Sequence, residues 1–217
     1  SSVEYAYLSD AANLLLTNTG PVVQLFGNDE AGNAVYANVA VTFDDAASLD
    51  PVGVQASNTV FNFLIGSEDQ WRAGVAGYSA VAYPGLYDGI DLLTFSQQNN
   101  IKYEFHVSPG ADYSQISMTY SGVEGLRIDA DGRLIASTAV GELIDDTPVI
   151  YQDIDGQRIA VAGEYVLLDD DTVGFNIAGM FSADHDLVID PDLAWSTYLG
   201  DGSAADAGEA IAIDADG

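Results

Sequence analysis

Short apolar segments, rich in β-branched and aromatic residues and bounded by Gly, Asn, Asp or Pro, run along nearly the whole chain. Segments of this length and composition are typical of β-strands. In 102–107 every second residue is apolar, which places Tyr103, Phe105 and Val107 on one face of a strand, and 116–120 has the same period. The predicted strands cover 13–17, 22–26, 35–43, 60–65, 78–83, 90–95, 102–107, 115–120, 126–129, 133–137, 149–154, 157–162, 164–168, 172–177 and 187–189.

The sequences between these segments are those of tight turns. Asp129-Ala-Asp-Gly132 and Asp153-Ile-Asp-Gly156 each separate two predicted strands, as do 28–32 and 169–171. A single turn at 67–71, with Ser67 as its N-cap, is the best helix candidate. We therefore predict an all-β chain, folded as an antiparallel β-sandwich or as two packed sheets.

The region after residue 190 differs from the rest in composition. Pro191 ends a strand, and Gly, Ala, Ser and Asp dominate beyond it, so we predict a β-rich domain at 1–190 and a strand-forming tail at 191–217. The residues Ala210, Ile211, Ala212, Ile213 and Asp214 form a strand running into a turn, with no returning strand after it. We expect this strand to lack a partner in its own chain and to pair with a neighbouring copy.

The charge balance restricts the environment and the partners of the chain. Asp and Glu number 34 against 5 Lys and Arg, for a net charge of -29. Such a surface repels nucleic acid and anionic membranes, and it requires salt to screen its self-repulsion. It is typical of a halophilic protein, with a dense cation-binding surface as the alternative. The absence of cysteine favours export, so we predict a secreted, extracellular or cell-surface chain without membrane insertion.

Three Asp-x-Asp-Gly sequences are candidate calcium sites, because calcium prefers clustered carboxylate and carbonyl oxygens. None has the spacing of an EF-hand loop. A β-turn in which Asp accepts backbone N–H bonds and Gly takes positive φ explains the same pattern. The candidate ligands are Asp129, Asp131, Asp153, Asp155, Asp214 and Asp216.

No sequence pattern indicates catalysis. His106 and His185 are the only imidazoles, and no Gly-x-Ser-x-Gly elbow is present. We therefore do not expect an enzyme, and a polysaccharide-active hydrolase is the third alternative. The aromatic residues Trp71, Tyr78, Tyr83, Tyr87 and Phe95 either pack a sheet or form a platform for a glycan.

Several motifs in fixed order resemble the N-terminal domain of secreted bacterial proteins with SBBP (seven-bladed β-propeller) repeats. The motifs lie at 64–72, 81–92, 103–112, 126–132, 148–156 and 188–191, and 195–200 with 208–217 resembles the opening of a first repeat. The resemblance implies an exported surface or matrix protein and supplies no catalytic residues. The chain has fewer Arg residues than similar domains, which is consistent with a saline habitat.

We expect an extracellular structural or adhesive module that assembles head-to-tail into a fibre or surface layer through β-strand addition. The alternative is a calcium- or glycan-binding domain that displays a following β-propeller. The expected partners are therefore a second copy of the chain or a cell-surface glycan, with calcium as the candidate cofactor.

Overall fold

The computed structural model describes residues 2–8, 12–28, 33–63, 72–97, 100–197 and 209–212. These ranges contain nineteen strands and a short 3-10 turn at Tyr113–Gln115. The predicted helical turn at 67–71 lies outside them. The strands are β1 Val3–Leu8, β2 Ala12–Thr17, β3 Gly20–Asn28, β4 Ala34–Phe43, β5 Val52–Phe63, β6 Arg72–Tyr87, β7 Ile90–Gln97, β8 Asn100–Val107, β9 Met118–Ser121, β10 Gly125–Ile128, β11 Leu134–Thr138, β12 Gly141–Asp145, β13 Val149–Ile154, β14 Gln157–Val161, β15 Gly163–Leu167, β16 Thr172–Ile177, β17 Leu187–Asp190, β18 Asp192–Thr197 and β19 Glu209–Ala212.

The strands form two packed antiparallel sheets, which confirms the predicted all-β class and two-sheet architecture. The first sheet has the order β19–β1–β2–β3–β4–β9–β16–β15. The second sheet begins β5–β6–β7–β8 and then branches. One branch continues through β17, β13 and β14, and the other through β18, β12, β11 and β10.

The branch arises because β8 is long enough to pair with two successive strands. Leu187–Ile189 of β17 pair with one end of β8, and Asp192 and Leu193 of β18 pair with the other. Pro191, which is buried, separates β17 from β18. A proline has no backbone N–H to donate to a sheet, so it marks the point where the ladder changes partner.

Phe105 of β8 lies at the centre of the core between the sheets and is fully buried. The rings of Phe43, Tyr103 and Phe175 meet it edge-on, with centroid distances of 6.2, 5.9 and 5.8 Å. Phe43 and Phe175 come from the first sheet, so these contacts join the two layers. The predicted face of β8 therefore points into the core.

A partly buried hydrogen bond crosses the same region of the second sheet. The Tyr103 hydroxyl donates to Asp145 Oδ2 at 2.7 Å, and Asp145 is buried although it carries a carboxyl group. Burial, followed by the nearby carboxyl of Asp145, raises the pKa of Tyr103. Tyr120 and Tyr165 lie close to the same carboxyl, and burial raises the pKa of each of them as well. Asp145 is therefore enclosed by phenols that stay protonated and able to donate.

The predicted hairpin turns are present where the structure describes them. Asp129–Gly132 connects β10 to β11, Asp153–Gly156 overlaps the connection from β13 to β14, and 169–171 connects β15 to β16. Asp155 and Gly156 have φ of 52° and 77°, as a two-residue hairpin turn requires. The turn predicted at 28–32 lies largely outside the described residues.

The expectation that the strand at 210–214 lacks a partner in its own chain is wrong for the residues that the structure describes. β18 pairs with β12 and β8, and β19 pairs with β1 and β6. The backbone N–H and C=O groups of β1 need partners on both sides, and β19 supplies them on the side away from β2.

Candidate assembly site

β19 occupies the seam between the two sheets, defined here as the space between β1 and the N-terminal half of β6. Its register with β1 is antiparallel, with Ala212 opposite Tyr5, Ala210 opposite Tyr7 and Glu209 opposite Leu8. On its other side, Ile211 pairs with Gly77 of β6. A four-residue strand therefore connects the first sheet to the second.

The seam exists because β6 separates from β7 partway along its length. The part of β6 from Ala80 to Tyr87 pairs with β7, whereas β6 as a whole begins at Arg72. At Gly77 the opposing strand β5 carries extra residues, since Ala56 pairs with Tyr78 but Val60 pairs with Ala76. Such a bulge bends a strand pair and increases its twist, which turns the start of β6 away from β7.

Glycine is required at the bend by close packing. A Cβ at Gly77 would lie 2.7 Å from Ser57 Oγ and 2.9 Å from Phe61 Cε2. Both distances are shorter than a carbon normally tolerates, so a side chain here would push β5 outward. Gly77 therefore allows β5 to pack closely against β6 on one side while β19 pairs with β6 on the other.

Aromatic side chains line the seam beneath β19. The rings of Tyr5 and Tyr78 meet edge-on at 5.7 Å, and the Tyr5 hydroxyl accepts a hydrogen bond from the Gly53 N–H at 2.8 Å. Tyr5 thereby links β1 directly to β5 and β6. A cavity of about 20 Å³ lies beside these rings, with Ala6 and Leu14 among its lining residues. The seam is therefore an apolar groove, and the backbone N–H and C=O groups of β1 at its border pair with β19.

β19 is attached to the rest of the fold by a long connection. β18 ends at Thr197 and β19 begins at Glu209, which leaves residues 198–208 between them. A connection of that length spans up to about 40 Å when extended. By contrast, β17 and β18 are separated by a single residue.

The structure places the candidate calcium ligands of the first two turns against arginines. Asp129 Oδ1 accepts the N–H groups of Asp131 and Arg133 at 2.9 and 3.0 Å, and Asp129 Oδ2 lies 2.7 Å from Arg133 Nη2. The backbone and side-chain hydrogen bonds from Arg133 lower the pKa of Asp129. Its carboxylate is therefore already satisfied as a turn residue.

The second turn has a similar arrangement. Asp153 pairs with Arg158 at 3.2 Å, and the Arg158 guanidinium lies 3.5 Å from the ring centroid of Tyr151. Asp155 occupies a positive-φ position of the turn.

The candidates Asp214 and Asp216 lie outside the described residues, as do Ile213 and Asp214 of the predicted assembly strand. Among the residues that the structure describes, no group of three or more His, Cys, Asp or Glu could hold a metal ion. Calcium binding stays a prediction.

The two histidines have separate hydrogen-bond partners. His106 Nε2 lies 2.9 Å from Glu104 Oε2 on the outer face of β8, and that hydrogen bond raises the pKa of His106. His185 Nδ1 lies 3.1 Å from Ser182 Oγ. The two imidazoles therefore lie in different places and do not share a partner.

The aromatic stretch from 71 to 95 contributes mainly to packing. Tyr83 and Tyr87 are buried, and their hydroxyls donate to the carbonyls of Thr17 and Ser117 at 3.0 and 3.2 Å. Tyr78 lines the seam, and Trp71 lies outside the described residues. A glycan platform is not formed by Tyr83 or Tyr87, since burial removes their faces from solvent.

A different aromatic pair borders an open cleft of about 220 Å³ beside the 3-10 turn. The rings of Tyr113 and Phe181 meet at 6.0 Å, and Asp112, Ser182 and His185 also line the cleft. Phe181 is exposed. No local sequence pattern indicates this cleft, because its two walls are separated by nearly seventy residues in the chain.

Acidic residues outnumber basic ones by 34 to 5, and four of the five cations lie beside carboxylates. Lys102, Arg127, Arg133 and Arg158 each lie within 4 Å of a carboxylate oxygen. The excess of acidic groups makes the net charge of the chain strongly negative. In the part of the chain that the structure describes, no helix is long and apolar enough to cross a membrane.

A family model described as a domain of unknown function (DUF7948) matches residues 1–192. No curated protein and no solved structure matches the chain. The matched region includes β1 through β17 and ends at the first residue of β18. The strand that fills the seam therefore comes from outside the family domain.

Proposed function

The chain belongs to this family of domains of unknown function, and from the geometry of the seam we propose that it is an extracellular structural module that assembles head-to-tail by exchanging β19. In the assembled form, β19 of one copy pairs with β1 and β6 of the next. The resemblance to the first domain of secreted SBBP-repeat proteins supports an exported, surface-associated role. The acidic surface and the absence of cysteine support a saline extracellular location.

The observation that carries the proposal is the pairing of β19 with β1 across a connection as long as residues 198–208. Exchange replaces each contact within a chain by the same contact between chains, so it costs little free energy. The seam and the donated strand are different surfaces of one molecule. A contact of that heterologous kind, when it does not close into a ring, produces a fibre.

Charge makes the assembly dependent on salt. Copies with a net charge of -29 repel one another, and the screening distance falls from about 10 Å at 0.1 M salt to about 3 Å at 1 M. We expect monomers in dilute buffer and fibres at high salt, measured by light scattering and electron microscopy.

Replacement of one residue of the donated strand tests the proposal. Ile211→Pro removes the N–H at the position that pairs with Gly77 and disfavours a strand, so fibres are expected to disappear at every salt concentration. Ala205→Pro, in the connection, is the matched control and retains fibres. Deletion of 206–217 provides a second test with the same expectation. Fibres that persist in both β19 variants would overturn strand exchange.

The cleft at Tyr113 and Phe181 supports a second candidate function, glycan binding. An exposed aromatic ring beside a carboxylate, a hydroxyl and an imidazole offers both stacking and hydrogen bonds to a sugar. Binding of neutral oligosaccharides, measured by calorimetry, is expected to be lost in Phe181→Ala and kept in Met180→Ala. Equal binding by the two variants argues against the cleft.

A further inference from the structure

Four strands of the described residues pair with only one neighbouring strand, and three of them share a protective feature. β10, β14 and β15 have four or five residues, and each contains a charged side chain: Arg127, Arg158 or Glu164. Short length and charge both prevent an edge from pairing with another molecule. These three edges are protected in the usual way.

β5 is the exception in both respects. It has twelve residues and pairs only with β6 among the described strands. Its sequence from Val52 to Phe63 contains no charged residue and no proline, in a chain with 39 charged side chains in total. Its pairing with β6 is irregular between Ala56 and Val60, but its other edge carries no charge along its whole length, and an uncharged edge can pair with another strand.

Part of β5 also projects beyond the sandwich. Residues 55–60 and 62 are all exposed, on both faces of the strand, and so are residues 73, 74 and 76 of β6 opposite them. We call this two-stranded ribbon, residues 55–62 and 72–76, the arm. A ribbon of two strands without a buried face is barely stable in water and gains stability when further strands join it.

We propose that the arm is a second self-association surface, on which β5 of one copy pairs antiparallel with β5 of another across a two-fold axis. The product is a four-stranded sheet in the order β6–β5–β5–β6. This contact does not depend on β19 exchange. It uses the edge of β5 that faces away from β6, whereas β19 pairs with β6 itself.

Charge favours β5 of a second copy over the other strand edges as the partner of β5. Pairing β5 with β14 or β15 of another copy would bring in the acidic surfaces around those strands, whereas two β5 strands meet through neutral side chains only. The arm residues Gln55, Ser57, Asn58, Thr59 and Asn62 are amides and hydroxyls that can both donate and accept, so they suit contact with themselves. In a molecule with a net charge of -29, the arm is the described edge where like charges oppose contact least.

A charge placed on the arm tests the proposal against a matched control. Val60 on the arm and Val149 on β13 are each 58 % exposed, but β13 is paired on both sides. In the Ile211→Pro chain, which is expected to form no β19 fibres, we expect Val60→Asp to weaken dimerisation by at least about tenfold in sedimentation equilibrium at 1 M salt, because it adds a negative charge to both sides of the contact. Val149→Asp is expected to leave the dimer unchanged.

The absence of cysteine allows a second measurement that does not depend on affinity. Single cysteines are introduced one at a time at each position from 55 to 62, with Glu164→Cys on the β15 edge as control. Across a two-fold axis a residue meets itself at one position, so disulfide yield on mild oxidation is expected to peak at one arm position and to stay low at 164.

Both experiments use the full chain with Ile211→Pro, which separates this contact from β19 exchange. Fibres lost in Ile211→Pro with the arm dimer retained support both proposals. A dimer that survives Val60→Asp, disulfide yields equal at the arm and at 164, or a chain that stays monomeric with Ile211→Pro at 1 M salt would overturn the arm contact, whatever the outcome for β19.

Discussion

β8 and β1 are both covered by strands from later in the chain, but the two coverings differ in how they are attached. β17 and β18 cover β8 and are joined by Pro191 alone. β19 covers β1 and is joined to β18 by residues 198–208. The pairing is antiparallel in both places. We therefore expect the length of the connection, more than the pairing itself, to decide whether a strand stays with its own molecule.

The packing beneath the two coverings differs in the same direction. Under β8 lies the fully buried Phe105 with rings on three sides. Under β19 lie Tyr5 and Tyr78, beside a small cavity. Removing a strand that packs against a filled core costs much free energy. A strand that lies beside a small cavity between two sheets is less costly to remove, so it exchanges more readily.

Phe105→Ala has the largest expected effect on this comparison. Truncation removes the ring that joins the two sheets, and we expect a loss of about 3–5 kcal/mol in the free energy of unfolding. Phe61→Ala, on the arm, is the control and is expected to cost much less because Phe61 is only half-buried. Urea denaturation followed by tryptophan fluorescence measures both, and similar losses would show that the region around β8 is not the more tightly packed one.

Tyr103→Phe tests the polar contact in the same region. The change removes the hydroxyl that donates to Asp145 and leaves a buried carboxyl with one donor fewer, at a cost of about 1–3 kcal/mol. Tyr113→Phe, at the open cleft, is the control. Equal stability of the two variants in urea denaturation would mean that the Tyr103 bond does not help to hold β8 against β12.

The class and many strands were predictable because their signals are local. The alternation around Phe105 and the turns at 129–132 and 153–156 depend on neighbouring residues alone. β12 was not predicted, since Glu142 and Asp145 interrupt its apolar pattern, and the burial of Asp145 depends on Tyr103 of a distant strand. A local pattern indicates that a strand exists but does not identify its partner.

The assembly site illustrates the same limit. The strand at 210–212 was predicted, but its pairing with β1 was not, because Tyr5 and Ala212 lie at opposite ends of the printed sequence. β1 itself was not predicted. The bend of β6 at Gly77 depends on extra residues in β5 that become visible only when the two strands are aligned. Contacts between segments far apart in sequence determine the seam, and one sequence carries no direct signal for them.

Gly77→Ala is expected to loosen the seam and leave the β8 region intact. The added methyl meets Ser57 and Phe61, and because the Ser57 side chain can move aside we expect a loss of about 1–2 kcal/mol. Hydrogen exchange is expected to increase in β1 and β19 more than in β8. Ala76→Val, at the exposed neighbouring position, is the control. Uniformly faster exchange in Gly77→Ala would contradict a local role for this residue.

The smallest expected effect concerns pH and the outer face of β8. The hydrogen bond to Glu104 raises the pKa of His106, with Asp91 and Asp186 adding in the same direction and burial opposing it. A group whose pKa is higher in the folded state stabilises the fold below its unfolded pKa of about 6.5, and that stabilisation is lost as pH rises through the folded pKa. The His106 side chain is 43 % exposed, so solvent screening limits the contribution to a few tenths of a kcal/mol.

His106→Gln is expected to remove this increment at pH 5.5 and to match the parent at pH 8.5, where neither side chain carries a charge. The difference between the two proteins in urea midpoints across this range isolates the imidazole from the many carboxylates, because those titrate equally in both. A difference in urea midpoint that grows toward high pH would have the opposite sign to the expected one. The pair of His106 and Glu104 would then not be one of the contacts that hold β17 on β8.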